Sequence, residues 1–124
     1  MPMNFNEPRV VSFVVDEFER ELVPGVAHMK HLFGNDTSVA LFKIAKGSGT
    51  RFPATAHAHG EEIALQLKGS SWVEAAGKRY TIRQGELIVM PAGLAHSGVF
   101  TDDEESWLLA ICTPPREDYG PQTW

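Results

Sequence analysis

The sequence predicts an all-β protein, a small barrel or jelly roll. Three observations carry that prediction. Roughly eight to ten runs rich in β-branched and aromatic residues are separated by turn signals every ~8–12 residues, the spacing of sandwiches and barrels. No stretch sustains a long helical period. So many short strands in an open sheet would leave exposed edges, and a jelly roll is the simplest architecture that removes them. With 124 residues, 43% apolar and 22% charged, the chain has the size and composition of one globular domain.

The elements follow in order. Residues 1–9 are polar, carry two prolines and read as a loose arm. Residues 9–15, Arg-Val-Val-Ser-Phe-Val-Val, have strand composition. Residues 16–22 predict a short helical turn, ended by Pro24 and Gly25. Residues 27–33 form a strand before the turn Gly34, Asn35, Asp36. In the strand over 38–44, Val39, Leu41 and Lys43 share one face, and Ala40, Phe42 and Ile44 the other. Both faces are mostly apolar, so both should be covered.

Residues 46–49 turn the chain, and Pro53 keeps 51–59 extended rather than helical. Residues 63–67 alternate around Gln66. A turn at 69–71 leads into a strand over 72–75. The loop Ala76, Gly77, Lys78 then returns the chain as a strand over 79–82. After a turn at 84–86, residues 87–90 predict a short buried strand. Residues 91–95 are a loop that delivers His96, and 101–105 an exposed acidic turn. The last strand covers 107–112, and 113–124 is a proline-bearing tail. One domain is expected, with an arm and first strand over 1–30, the barrel over 31–113 and the tail over 114–124.

The formal charge of −5 disfavours nucleic acid and anionic membrane surfaces as partners. No apolar run reaches the roughly 20 residues of a membrane span. The basic-then-apolar order of a signal peptide is missing from the first residues, and Cys112 is the single cysteine. A reducing cytoplasm is therefore the expected compartment.

The chemistry is concentrated in Thr-Ala-His-Ala-His-Gly-Glu-Glu over residues 55–62. His57 and His59 are one residue apart, so in an extended chain both imidazoles leave the same face. Glu61 and Glu62 add a hard oxygen donor, and His96 adds another imidazole. Three imidazoles and a carboxylate suit a borderline divalent ion: iron, manganese, nickel, cobalt or zinc. Such a donor set favours an open position for water or substrate over a closed structural site. Gln66 shares strand parity with Glu62 and should point the same way. His28 and His31 read as structural. Cys112 reads as an inert buried thiol, and Trp72, Phe100 and Trp107 as core.

Gly85, Pro91, Gly93 and His96 stand at spacings that resemble the second motif of the cupins, with Phe100 where that motif ends in asparagine. His57, His59, a glutamate and Gly69 resemble the first motif. There the link from His59 to the acid is one residue short, and Arg51 replaces the leading glycine. The six-residue spacing before Gly69 selects Glu62 over Glu61 as the fourth ligand.

The resemblance implies a double-stranded β-helix of the small single-domain, RmlC-like type. Its metal would be held by His57, His59, Glu62 and His96, with Gln66, Phe100 and Arg51 at the substrate pocket. The segment Ile-Cys-Thr-Pro-Pro-Arg-Glu-Asp-Tyr over 111–119 resembles the tail of cupins that linearise unsaturated uronates in pectin degradation. Arg116 matches their site arginine, and Ala110 stands where they carry an aspartate.

Three functions follow as expectations. The first is a metal-dependent isomerase, lyase or cyclase acting on a carbonyl, enol or carboxylate-bearing small molecule; small cupins include polyketide cyclases, which resemble this chain in size and organisation. There Arg116, with Arg51, would hold a substrate carboxylate, and Glu61 or Tyr80 would move protons. The second is an iron-dependent dioxygenase. The third is a non-catalytic module binding a sugar acid or metal, which the missing acid at Ala110 favours. A homodimer is the expected assembly.

Overall fold

The computed structural model describes residues 5–13, 20–48 and 58–116. Within them are eight strands: β1 (Arg20–Val23), β2 (Ala27–Phe33), β3 (Ser38–Ile44), β4 (Glu61–Lys68), β5 (Ser71–Ala75), β6 (Lys78–Ile82), β7 (Leu87–Met90) and β8 (Ser106–Thr113). Six form one antiparallel sheet in the order β1-β2-β3-β8-β4-β7, and β5 and β6 form a second. The strand β8, last of the described strands, lies between β3 and β4.

Alternation along these strands sorts side chains into inner and outer sets. Register stacks the inner set into rows. Ser38, Cys112, Glu62 and Met90 form one row across β3, β8, β4 and β7; Ala40, Ala110, Ala64 and Ile88 form the next. The three alanines leave space that larger side chains would fill. Opposite them, Val73, Ala75 and Ile82 of the hairpin pack with Met90 and Ile88, while Ala64, Leu108 and Ala110 pack with Phe42, Ile88 and Val99. Ile88 touches both groups and ties the two sheets together. Burial of such side chains contributes about 1.5–3 kcal/mol each.

Three expectations change. Residues 9–13 form no strand despite their β-branched composition, and 14–15 lie outside the described residues. Residues 20–22, expected to be helical, belong to β1, which pairs with β2 through a bulge between Glu21 and Val23. The strand β7 is buried on one side only. Leu87 and Val89 are 61% and 56% exposed, because they occupy the outer face while Ile88 and Met90 occupy the inner. The strand β2 spans residue 30 and pairs with β3 along its whole length. Among the described residues, no helix is long and apolar enough to cross a membrane.

Candidate metal centre and ligand cavity

Two segments from different sheets bring the polar groups together. The first is His59 to Glu62, at the entry to β4. A side chain on Gly60 would collide with the backbone of Thr113 and the ring of Pro114. Only glycine lets the chain pass there, and the pass takes up the short link between the histidine and the acid. Glu62 then faces inward with its side chain 13% exposed, while Glu61 is exposed on the opposite side of β4.

The second segment is 91–100. Gly93 adopts a φ of 78°, open to glycine at no steric cost, and its N–H donates to the His59 carbonyl at 2.8 Å. The two motif loops are thus tied by one backbone hydrogen bond. Beyond that turn, His96 pairs with Ala75 and Phe100 with Trp72, so the segment adds to the second sheet beside β5. The Ser97 N–H donates to the Glu74 carbonyl at 2.8 Å, and the Glu74 N–H donates to Ser97 Oγ at 2.9 Å. That pairing fixes where His96 points.

The result is a compact cluster. His59 Nε2 lies 3.3 Å from Glu62 Oε1, and the rings of His59 and His96 meet edge to face with centroids 4.7 Å apart. The Cys112 thiol donates to Glu62 Oε1 at 3.5 Å, and Arg116 Nη1 lies 3.9 Å from the same oxygen. Ligand atoms of His59, Glu62 and Cys112 all fall within 4.8 Å of one another. Arg116 is held by its own N–H, which donates to Ser38 Oγ at 2.9 Å.

The tautomers follow from the backbone. His59 Nδ1 is 2.7 Å from the Gly60 carbonyl, and His96 Nδ1 is 2.9 Å from the Leu94 carbonyl. A carbonyl only accepts, so both Nδ1 atoms carry the hydrogen and both Nε2 atoms carry the lone pair when the rings are neutral. Burial pushes the His59 pKa below its ordinary value, against the Gly60 carbonyl. Arg116 and His96 push it further down, and Glu62 opposes them. A neutral imidazole lone pair then faces a carboxylate oxygen. Two acceptors in contact need a cation between them, and a divalent metal ion fits that demand. Carbonyl-anchored Nδ1–H groups with inward Nε2 are also how proteins orient metal-binding histidines.

From this cluster a cavity of about 610 Å³ runs between the sheets. Glu62, His96 and Arg116 line one end, and Arg20, Leu22 and Val23 of β1 line it elsewhere. Phe100, expected at the pocket, lines it too. Gln66 faces inward as its parity predicts, but it is 1% exposed and does not line the cavity. Its amide donates to Ser106 Oγ and the Lys68 carbonyl at 2.7 and 2.8 Å, and accepts from Ser71 Oγ at 2.6 Å.

Glu61, expected to move protons, is on the wrong face of its strand for that role. His57 and Arg51 lie outside the described residues. Cys112, read from sequence as inert, touches the site acid. The missed signal was its inward parity with Ala110 and Leu108, which points at Glu62 only once β8 pairs with β4. Trp107 is not core: it lies on the outer face, with Lys43 and Lys68 ammonium groups 5.9 and 5.7 Å from its ring. Ala110, at the position of the absent aspartate, is buried against Ala64 and Leu108.

Comparison with known proteins places this arrangement. The model of the AraC-like ligand binding domain matches residues 39–117, a span that runs from the second residue of β3 through β8 and contains the whole cluster. The chain belongs to that family. As a member of the AraC-like ligand binding domains, it shares its fold with solved cupins. KdgF from a Halomonas species superposes with a TM-score of 0.73 at 20% identity, covering 91% of this chain and 100% of its own. An RmlC-like cupin from Shewanella frigidimarina gives 0.72 at 21% identity, covering 91% and 97%. A double-stranded β-helix protein from Klebsiella pneumoniae gives 0.66 at 19% identity, covering 92% of each chain. No curated protein matches the sequence. At these identities the structural likeness establishes the cupin fold of this AraC-like domain.

Proposed function

We propose that this domain is a metal-dependent enzyme acting on a small molecule that bears a carbonyl, enol or carboxylate. The observation that carries the proposal is the convergence of His59, Glu62 and His96 at one end of the cavity, with Arg116 beside them. His57, from the same motif, would complete the ligand set. When bound, a divalent ion supplies Lewis-acid polarisation of a substrate oxygen. Arg116 orients the substrate's anionic oxygen through its planar guanidinium. The hydrophobic walls exclude water from the reacting end.

The uronate linearisation suggested by the tail does not carry over easily, because Ala110 removes an acid that such chemistry would use. Loss of a general acid or base costs on the order of a hundredfold or more. That alanine favours a second reading, a non-catalytic module that binds a ligand through the same metal.

Metal analysis of protein purified without a nickel column tests the site. About one equivalent of a divalent ion is expected, with loss in His59→Ala and in His96→Ala; unchanged content in both variants would sink the ligand assignment. If the ion is iron, oxygen uptake with candidate substrates separates dioxygenation from isomerase, lyase or cyclase chemistry. Tight ligand binding without turnover would favour the module.

We also propose that two copies pair through the outer face of the large sheet, where Ile63, Leu87, Val89 and Ile111 are exposed and adjacent in register. Light scattering should give twice the chain mass, and Val89→Lys should give the monomer. A monomeric wild type would end this idea.

A further inference from the structure

Among the described residues, the inner surface of the cavity is sharply divided by polarity. Its walls are built by Ala64, Val73, Ile82, Ile88, Phe42 and Leu108. Among the described residues, the polar side chains on it are Arg20, Ser48, Glu62, His96, Ser97 and Arg116. The two serines are already engaged within the protein. Ser48 Oγ accepts from the Thr101 N–H at 2.9 Å and donates to the Thr101 carbonyl at 3.3 Å. Ser97 Oγ accepts from the Glu74 N–H at 2.9 Å and donates to the Gly98 carbonyl at 2.7 Å. Gln66, the next inward polar side chain along β4, has its amide held by Ser71, Ser106 and the Lys68 carbonyl. Among the described residues, polar partners for a ligand are thus gathered at the cluster, with Arg20 on β1 apart from it.

We infer that the ligand is an amphiphile, with one anionic or enolisable oxygen head at Glu62, His96 and Arg116 and an apolar aliphatic or aromatic body between the sheets. A sugar acid is the wrong shape of polarity. Its head would find Arg116, but its ring hydroxyls would lie against Val73, Ile82 and Ile88, losing water without gaining partners. An apolar body gains from the same walls. The volume of about 610 Å³ falls within the range of drug-sized ligand sites. The polarity of the cluster end rests on the metal-centre reading above; the apolar character of the walls does not.

The test compares two carboxylates with different bodies, decanoate and galacturonate, by calorimetry on the metal-loaded full chain. Decanoate should bind at least tenfold more tightly. Ala64→Leu, which fills the space between the sheets, should weaken decanoate at least tenfold while metal content stays unchanged. Val99→Trp provides the same obstruction from a loop, should the strand variant fail to fold. Equal or tighter binding of galacturonate would overturn the inference. So would decanoate binding that neither filling variant disturbs, or the absence of decanoate binding at millimolar concentration. Metal content measured on the same samples reports separately on the metal-centre reading, because the ranking of the two probes by the walls is read with or without the ion.

Discussion

Glu62 and Gln66 are two inward polar side chains on one strand, separated by Ala64 and alike in parity, yet they occupy opposite kinds of environment. Gln66 is saturated: its amide donates twice and accepts once, all within the protein. Glu62 is poised. Its Oε1 faces an imidazole lone pair at 3.3 Å, a thiol at 3.5 Å and a guanidinium at 3.9 Å, and it opens on a cavity. A buried polar group whose hydrogen bonds are complete specifies the fold. One that faces another acceptor across a gap, as Glu62 faces His59 Nε2, needs a cation between them. The difference lies in the neighbouring strands, since β4 itself treats the two residues alike.

The largest effect that tests this contrast is Gln66→Leu. Removing the amide leaves the Ser71 and Ser106 hydroxyls buried without it. The cost of stranding such groups together should be about 3 kcal/mol, seen as a lower midpoint in denaturant. Metal content of the folded fraction should not change. A variant as stable as the parent would mean that the network is not what fixes this part of the fold.

Glu62→Gln should do the reverse. Metal affinity should fall roughly a hundredfold or more, measured by competition with a chelating dye, because the charged oxygen is the part of the side chain that binds the ion. Stability of the metal-free protein should hold or rise by up to about 1 kcal/mol, because an amide N–H can donate to the lone pair of His59 Nε2. A drop in metal-free stability like that of Gln66→Leu would erase the distinction between the two residues.

Much of the fold was legible in the sequence, and the reasons for the failures are physical. Alternation and turn residues located β2 to β8 within a residue or two at most ends. The run over 9–13 has strand composition, but β propensity expresses packing against neighbours, and no strand forms there. The β1 residues have helix-compatible composition, but pairing with β2 decides their conformation. Leu87 and Val89 are apolar and were expected inside; parity places them outside.

At the site, parity also separates Glu62 from Glu61. What sequence could not supply was the neighbour across the sheet. Ser106 reaches Gln66 from 40 residues away, and Cys112 reaches Glu62 from 50. Both contacts depend on β8 inserting between β3 and β4, a long-range pairing with no local signature. His57 and Arg51 lie outside the described residues, so the first motif is represented in the structure by His59, Glu62 and Gly69.

Cys112 gives an intermediate test, because it touches the poised acid from a fully buried position. If it supports Glu62 rather than binding the ion, Cys112→Ala should reduce metal affinity by less than roughly tenfold, in the range of outer-shell partners, and should cost about 1 kcal/mol in stability from lost packing. A loss as large as that of Glu62→Gln would make the thiolate a ligand. The donor set would then change from nitrogen and oxygen to one that includes sulfur, with a stronger bias towards zinc.

The smallest effect is the dependence of metal-free stability on pH. The folded-state pKa of His59 lies below its ordinary value of 6.5, chiefly through burial. In the unfolded chain the imidazole titrates near that ordinary value. Between the two pKa values the unfolded state binds more protons than the folded state, so stability rises with pH across that window. The contribution is complete above the unfolded value. It declines as pH falls through that value, and becomes constant below the folded one. In His59→Gln this component disappears, so denaturant midpoints of wild type and variant should converge at low pH relative to their separation at neutral pH. Parallel curves would show that His59 does not prefer the neutral state in the fold. The lone pair facing Glu62 would then hold a proton, and the contrast between a saturated Gln66 and a poised Glu62 would weaken to one between two satisfied groups.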